Sequence, residues 1–168
     1  MVADFLARHA DGGWLSPSAA AWLVSSYRIP VAPPAEPIPA GGIELLVAVR
    51  QEPVFGPVVV FGPGGRASEV LGGRAARLAP LTDVDAAELI RTSPAAPLLT
   101  GQGGASGADT GALANVLLRV SLLADDLPQI ADLELNPVIA RADGVTAADV
   151  RVRLAPAPQK DPFLRQLR

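Results

Sequence analysis

Three side chains that carry oxygen ligands interrupt an aliphatic stretch near the C-terminus: Glu134, Asn136 and Asp149. Glu134 and Asn136 are two positions apart, so they share a face if this stretch is a β-strand. A turn at residues 142–144, Ala-Asp-Gly, would fold the strand back and place Asn136 nearly opposite Asp149. Such a cluster suits a hard cation such as Mg²⁺, which proteins often bind through carboxylates and nucleotide phosphates.

The same spacing is also typical of the solvated outer face of a strand pair. A register slip of one residue would move one strand's polar side chains to the other face and dissolve the cluster. The spacing alone therefore leaves a metal site and a water-facing surface as alternatives.

A glycine-rich loop, FGPGGRASEVLGG, is the second candidate site. Gly62, Gly64 and Gly65, followed by Glu69, could let the backbone approach a phosphate and present successive amides to it. The spacing is neither that of a P-loop nor that of a dinucleotide fingerprint, and a flexible turn would explain it equally well. Glu44, at the start of an apolar strand, needs either a partner, a functional role or an edge position facing water.

The hydrophobic pattern that must position these residues mixes helices and strands, which predicts an α+β (mixed α/β) fold with a largely antiparallel sheet and two main helices packed on it. We expect three parts: residues 1–42, a helix and a proline-rich connector; 43–155, the main domain; and 156–168, a loose tail. The predicted helices are 17–28, 83–91 and 109–125, and the predicted strands are 43–49, 56–62, 74–78, 131–140 and 145–154.

Composition narrows the function classes. The 168 residues carry a net charge of −3, which gives no strong field to attract nucleic acid or an anionic membrane. The chain contains no cysteine, so disulfides and thiolate metal sites are excluded, in keeping with a cytoplasmic location. No apolar run approaches the roughly 20 residues of a membrane span.

Several blocks, in order, resemble the NDP-forming acyl-CoA synthetases, whose ATP-grasp domain is related to the succinyl-CoA synthetase β subunit. The blocks include GIELLVAVRQEPVFGPVVVFGPGG, RLAPLTDVDAAELI and ALANVLLRVSLLADDLPQIADLELNPVIA. The resemblance runs over about residues 43–154 and implies the C-terminal lobe of an ATP-grasp fold. It implies an ATP- and Mg²⁺-dependent acid–CoA ligase, in which a histidine of another domain carries phosphate.

The resemblance also implies roles for the candidate residues. Asn136, in the motif LELNPV, and Asp149 match the family's magnesium ligands, and Glu134 matches a neighbouring active-site carboxylate. The positions implied to bind the nucleotide are Glu44, Gly62, Gly64, Gly65 and Glu69.

One departure from the family pattern limits what the chain can do. The family places a long segment with nucleotide-gripping lysines before the Glu44 strand, whereas here only APPAEPIPAG follows Ile-Pro-Val, and the single lysine, Lys160, lies in the tail. The first ATP-grasp lobe is therefore expected to be deleted, ATP and Mg²⁺ binding weak or lost, and the chain inactive alone. The alternative is a non-catalytic partner or regulatory subunit that docks on a CoA-binding or acetyltransferase-fused protein, or that forms a homo-oligomer. A metal- or nucleotide-sensing pseudoenzyme is a third hypothesis.

Overall fold

The protein was analysed as a computed structural model that describes residues 1–33, 41–65, 68, 72–101 and 107–157. This part of the chain contains five helices and seven strands, numbered here in chain order. The helices are α1 (Val2–Arg8), α2 (Pro17–Ser26), α3 (Asp83–Thr92), α4 (Ala96–Leu99) and α5 (Thr110–Asp126). The strands are β1 (Gly13–Trp14), β2 (Ile43–Glu52), β3 (Gly56–Pro63), β4 (Ala75–Leu78), β5 (Ile130–Arg141), β6 (Gly144–Ala147) and β7 (Val150–Leu154).

The seven strands form one sheet in the order β1-β7-β5-β2-β3-β4, and β6 pairs with the far end of β5. Every pairing between these strands is antiparallel. The predicted α+β class with a largely antiparallel sheet is therefore confirmed. β5 is the organising strand, because it pairs with β2 on one side and with both β6 and β7 on the other.

The hydrophobic core lies between one face of the sheet and the helices. One side of α5 is buried in this core through Leu113, Val116, Leu117, Val120 and Leu123. The first 33 residues belong to the same core, since side chains of α2 and the segments beside it join the cluster formed by β2, β5 and α5. No helix within the described ranges is both long and apolar enough to cross a membrane.

The predicted helix starts are confirmed by their capping contacts. The Ser16 hydroxyl accepts a hydrogen bond from the Ala19 amide, and Thr82 forms a reciprocal capping box with Asp85. These side chains satisfy amides that have no partner within the helix. Helix α2 ends at Ser26 rather than at residue 28, because Arg28 has a left-handed backbone with φ of 58°.

The register predicted for the C-terminal strand pair is confirmed. Leu135 pairs with Val150 and Val138 pairs with Ala147, which places Asn136 at the level of Asp149. The predicted single strand 145–154 is wrong, since it is broken between β6 and β7. The break lies opposite Pro137, which has no amide hydrogen to donate to a ladder.

Three elements were missed by the sequence reading. Helix α1 and strand β1 occupy an N-terminal segment that was read as polar, and α4 lies in a predicted long loop. Phe5 and Leu6 pack partly against the core, so a short apolar patch is enough to hold α1. β2 also extends beyond its apolar run to Glu52, because the pairing with β3 and β5 continues through charged residues.

Candidate functional site

The side chain of Asn136 is the centre of the candidate site. Its Oδ1 accepts a hydrogen bond from the Gly65 amide at 3.0 Å, and its Nδ2 donates to Glu134 Oε1 at 3.2 Å. Its backbone amide donates to the Asp149 carbonyl at 3.2 Å. The amide hydrogen of Gly65 and the carboxylate of Glu134 require this orientation of the side-chain amide and would both oppose the flipped one. Asn136 thus ties the glycine loop, β5 and the start of β7 together.

Asp149 lies in the break between β6 and β7 and is exposed. Its Oδ1 accepts a hydrogen bond from the Val150 amide at 2.9 Å, which fixes the carboxylate at the start of β7. Together with the backbone bond from Asn136, this contact holds the two predicted magnesium ligands on neighbouring strands.

Glu134 forms an ion pair that the sequence reading did not anticipate. Arg50 of β2 donates through Nη2 to Glu134 Oε2 at 2.8 Å and through Nη1 to Asp132 Oδ1 at 2.7 Å. Arg50 lies one residue beyond the predicted strand 43–49 and was not among the candidate residues. The signal was the alternation of Asp132 and Glu134 on β5, which puts two carboxylates on one face and calls for a cation there.

The pKa values of the two carboxylates that bind Arg50 shift in opposite directions. Burial alone would raise the pKa of Glu134, but hydrogen bonds from Arg50 and Asn136 outweigh it and lower that pKa below its usual value. For Asp132, burial raises the pKa, and repulsion from Glu134 adds to this against the attraction of Arg50. Glu134 is therefore ionised at neutral pH, which suits an acceptor that orients Asn136 better than a general acid.

Close packing explains why glycines occupy positions in this loop. A Cβ at Gly64 would collide with the backbone of Leu45, and one at Gly65 would collide with the carboxylate of Glu44. A Cβ at Gly62 would come within 3.1 Å of the Gly73 carbonyl oxygen. Close packing of the loop against the β2 backbone therefore requires glycine at position 64, whereas at Gly65 the Glu44 side chain would have to move.

Two amides of this loop already have protein partners. The Gly64 amide donates to the Glu44 carbonyl at 3.0 Å, and the Gly65 amide donates to Asn136 Oδ1. A phosphate could reach the Gly65 amide only by displacing Asn136. The nucleotide-binding role implied for Glu44, Gly62, Gly64 and Gly65 stays a prediction, and Glu69 lies outside the described residues.

The donor set fits a magnesium ion that is completed by phosphates. Asn136 Oδ1 has a second lone pair besides the one used by Gly65, and Asp149 supplies an exposed carboxylate. Within the described ranges, no group of three His, Cys, Asp or Glu side chains could hold a metal ion by itself. This combination agrees with the preference of Mg²⁺ for few protein ligands and several oxygens from substrate or water.

Residues 31–154 match the ATP-grasp domain family. This range contains the sheet strands β2 to β7 and the whole Asn136 network. The chain therefore belongs to the ATP-grasp domain family.

Several similar curated proteins are named ADP-forming CoA ligases. The chain is 38% identical over 138 residues to the beta subunit of ADP-forming acetate–CoA ligase I from Pyrococcus furiosus, which covers 82% of this chain and 56% of that protein. It is 41% identical over 114 residues to ADP-forming acetate–CoA ligase I from Archaeoglobus fulgidus, which covers 68% of this chain and 17% of that protein. The chain thus spans about half the length of the Pyrococcus beta subunit.

Solved structures give the same family. The dinucleotide-forming acetyl-coenzyme A synthetase 1 of Ca. Korarchaeum cryptofilum matches with a TM-score of 0.66 and 36% identity, over 70% of this chain and 51% of that one. A further structure of that enzyme, in complex with coenzyme A and Mg-AMPPCP, matches with a TM-score of 0.79 and 25% identity, over 92% of this chain and 100% of that one. A match over 92% of this chain must include part of residues 1–42. The chain is an ATP-grasp domain similar to the β subunits of ADP-forming acyl-CoA synthetases.

Proposed function

We propose that this chain supplies the magnesium-side wall of the nucleotide site of an NDP-forming acyl-CoA synthetase. The observation that carries the proposal is the network around Asn136, which joins Gly65, Glu134 and Asp149. In this proposal Asn136 and Asp149 hold Mg²⁺ together with the phosphates of ATP. The bound ion neutralises charge on those phosphates.

The other residues of the network act through Asn136. Glu134 accepts from Nδ2 and so turns Oδ1 towards the glycine loop, while Arg50 keeps Glu134 ionised. Glu134 is thus a positioning residue in this proposal. The role of Glu134 as an active-site carboxylate that acts on substrate stays a prediction.

We further propose that the chain alone has little or no ligase activity. Only residues 34–40 lie between the described ends of the connector, at Pro33 and Gly41, where the family carries a whole lobe. A charged hydrogen bond of the kind that a lysine makes to phosphate contributes about 1.5–3 kcal/mol. The missing lobe would also leave the site open to water, which weakens each electrostatic contact in it.

Nucleotide binding and turnover test these two statements separately. Calorimetric titration with ATP and Mg²⁺ should give weak, Mg²⁺-dependent binding that Asn136→Ala and Asp149→Ala abolish. Asp125→Ala is the matched control, because Asp125 is an exposed carboxylate on α5 away from the network. Binding that survives both site variants would contradict the magnesium wall, and steady ATP turnover with an acid and CoA by the purified chain would contradict its inactivity.

A second candidate function is that of a subunit that works only with a partner. It is favoured by the similarity to proteins named as beta subunits and by the half-length match to them. The partner would carry the CoA-binding domains or an acyltransferase domain, or it would be a second copy of the chain. Light scattering of the chain alone and mixed with a CoA-binding subunit tests this. A complex with restored ATP turnover is expected, and strictly monomeric behaviour with no gain in turnover would contradict it.

A further inference from the structure

A cavity of about 600 Å³ lies away from the Asn136 network and shares none of its residues. It opens to solvent and is lined by the segment that follows α2, by α5 and by the hairpin of β5 and β6. Its volume falls in the range of about 300–1,000 Å³ that is usual for small-molecule sites. Three of its lining side chains are arginines, one from each of these parts: Arg28, Arg119 and Arg141.

Within the described residues these arginines have few protein acceptors, although Arg28 is exposed to water while Arg119 and Arg141 are half-buried. Each guanidinium has five N–H donors. Arg119 uses Nη1 on the Tyr27 carbonyl at 3.1 Å, and Arg141 uses Nε on the Gly41 carbonyl at 3.4 Å. The Nη2 of Arg141 is buried without a hydrogen-bond partner. A buried, unpaired guanidinium nitrogen is costly, so a ligand that accepts from it would stabilise the protein.

The acidic residues of the cavity do not cancel this charge. Asp109 is the N-cap of α5, and its Oδ1 already accepts from the Ala112 amide at 2.8 Å. Asp143 is exposed at the hairpin turn, where water screens it. Arg28 is exposed as well, so the formal excess of the lining is one positive charge, and the half-buried cations are Arg119 and Arg141.

The backbone of Arg28 places its side chain at this cavity. Arg28 directly follows the C-cap of α2, Tyr27, and its φ of 58° is the left-handed conformation in which helices commonly end. From this position its side chain lines the cavity.

We propose that this cavity binds the oxyanion group, phosphate or carboxylate, of a small organic molecule. The planar fork of arginine matches both groups with paired hydrogen bonds. The volume leaves room for more than the anion itself. The site is separate from the proposed Mg²⁺ wall, so its occupation does not require the proposed ligase function.

The test is a titration of the full chain with inorganic phosphate and, in a second arm, with succinate, followed by amide NMR shifts at constant ionic strength. We expect saturable shifts at Arg28, Arg119, Arg141 and residues 143–146 with at least one of the two anions. Arg28→Gln and, independently, Arg141→Gln should weaken this binding by about tenfold or more, because each removes a charged hydrogen-bond donor. Arg8→Gln, the same charge change at an exposed site in α1, is the control and should leave the affinity unchanged.

The two arms distinguish the source of the oxyanion. Tighter binding of phosphate would assign a phosphorylated ligand, and tighter binding of succinate would assign an organic acid. Absence of saturable shifts with both anions would overturn the proposal. So would an equal loss of affinity in Arg8→Gln, which would indicate only a general charge effect, or shifts confined to Gly65 and Asn136.

Discussion

Within residues 132–136 of β5, the two faces of the sheet differ sharply in burial although their residues alternate along the strand. Leu133 and Leu135 of β5 are fully buried under the helices. Asp132, Glu134 and Asn136, on the other face of the same strand, are partly exposed and bound to Arg50 and the glycine loop. The difference teaches that the helix-covered face supplies most of the stability, whereas the open face carries the polar network. Mutations on the two faces should therefore have separable effects.

Substitutions at two neighbouring residues, Leu135 and Asn136, test the difference between the two faces most strongly. Leu135→Ala should lower the free energy of unfolding by about 2–5 kcal/mol, since it leaves a cavity in the helix-covered core. Asn136→Ala should cost only about 1 kcal/mol, because it removes hydrogen bonds on a partly exposed face. Urea denaturation of both variants measures the difference. Equal losses would mean that the polar network supports the fold as much as the core does.

The glycine loop packs on the backbone of β2 and also bonds to Asn136 of the polar network. A substitution at Gly64 tests whether these two contacts depend on each other. Gly64→Ala should destabilise by about 1–3 kcal/mol, because the added Cβ meets the Leu45 backbone and pushes the loop off β2. It should also remove the Gly65–Asn136 hydrogen bond, visible as a shift of the Gly65 amide in NMR spectra.

The control for Gly64 is Gly56→Ala. Gly56 has a φ of 87° and open space around the site of its Cβ, so only backbone strain opposes the change. Gly56→Ala should therefore leave the Gly65 amide unmoved while it lowers stability. A wild-type Gly65 shift in Gly64→Ala would contradict the close packing of the loop.

The smallest expected effect is the opposite titration of the two carboxylates beside Arg50. Carboxyl ¹³C NMR should place the pKa of Glu134 below its ordinary 4.5 and that of Asp132 above its ordinary 3.8. Because the folded pKa of Glu134 is lowered, its contribution to stability is present above pH 4.5 and is lost as the pH falls through the folded value. For a pair that is about one third exposed, this contribution is at most about 1 kcal/mol.

The variant Arg50→Gln tests whether Arg50 lowers the pKa of Glu134. Loss of the guanidinium should raise the pKa of Glu134 and loosen the Asn136 side chain. If the Glu134 pKa does not rise in the variant, then Arg50 does not lower it.

Much of the fold could be predicted from local patterns. The Ala-Asp-Gly turn and the alternation on either side set the register that brings Asn136 level with Asp149, and the helix caps at Ser16 and Thr82 are visible in the sequence. The break after Ala147 follows from Pro137 on the partner strand, which is a long-range consequence that a strand-by-strand reading does not include.

The site could be predicted in part. The side chains of Asn136 and Glu134 are hydrogen-bonded, and Asp149 joins them through its backbone carbonyl, so a cluster of all three side chains stays a prediction. Arg50, some eighty residues away in the chain, was not foreseen. Pairing of β2 with β5 brings it there, and no local pattern specifies which distant strand is the neighbour. The glycines were read as phosphate ligands or a flexible turn, whereas packing against β2 accounts for them, and that reason is visible only in three dimensions.

The most direct test of the central claim is paramagnetic relaxation by Mn²⁺ substituted for Mg²⁺ in the presence of ATP. Because the ion broadens nearby amide signals even when binding is weak, the method does not require a complete nucleotide site. The claim that the open face is a magnesium wall predicts selective broadening at Gly65, Asn136 and Asp149 that depends on ATP and vanishes in Asp149→Ala. Broadening centred elsewhere, or unchanged in that variant, would contradict it.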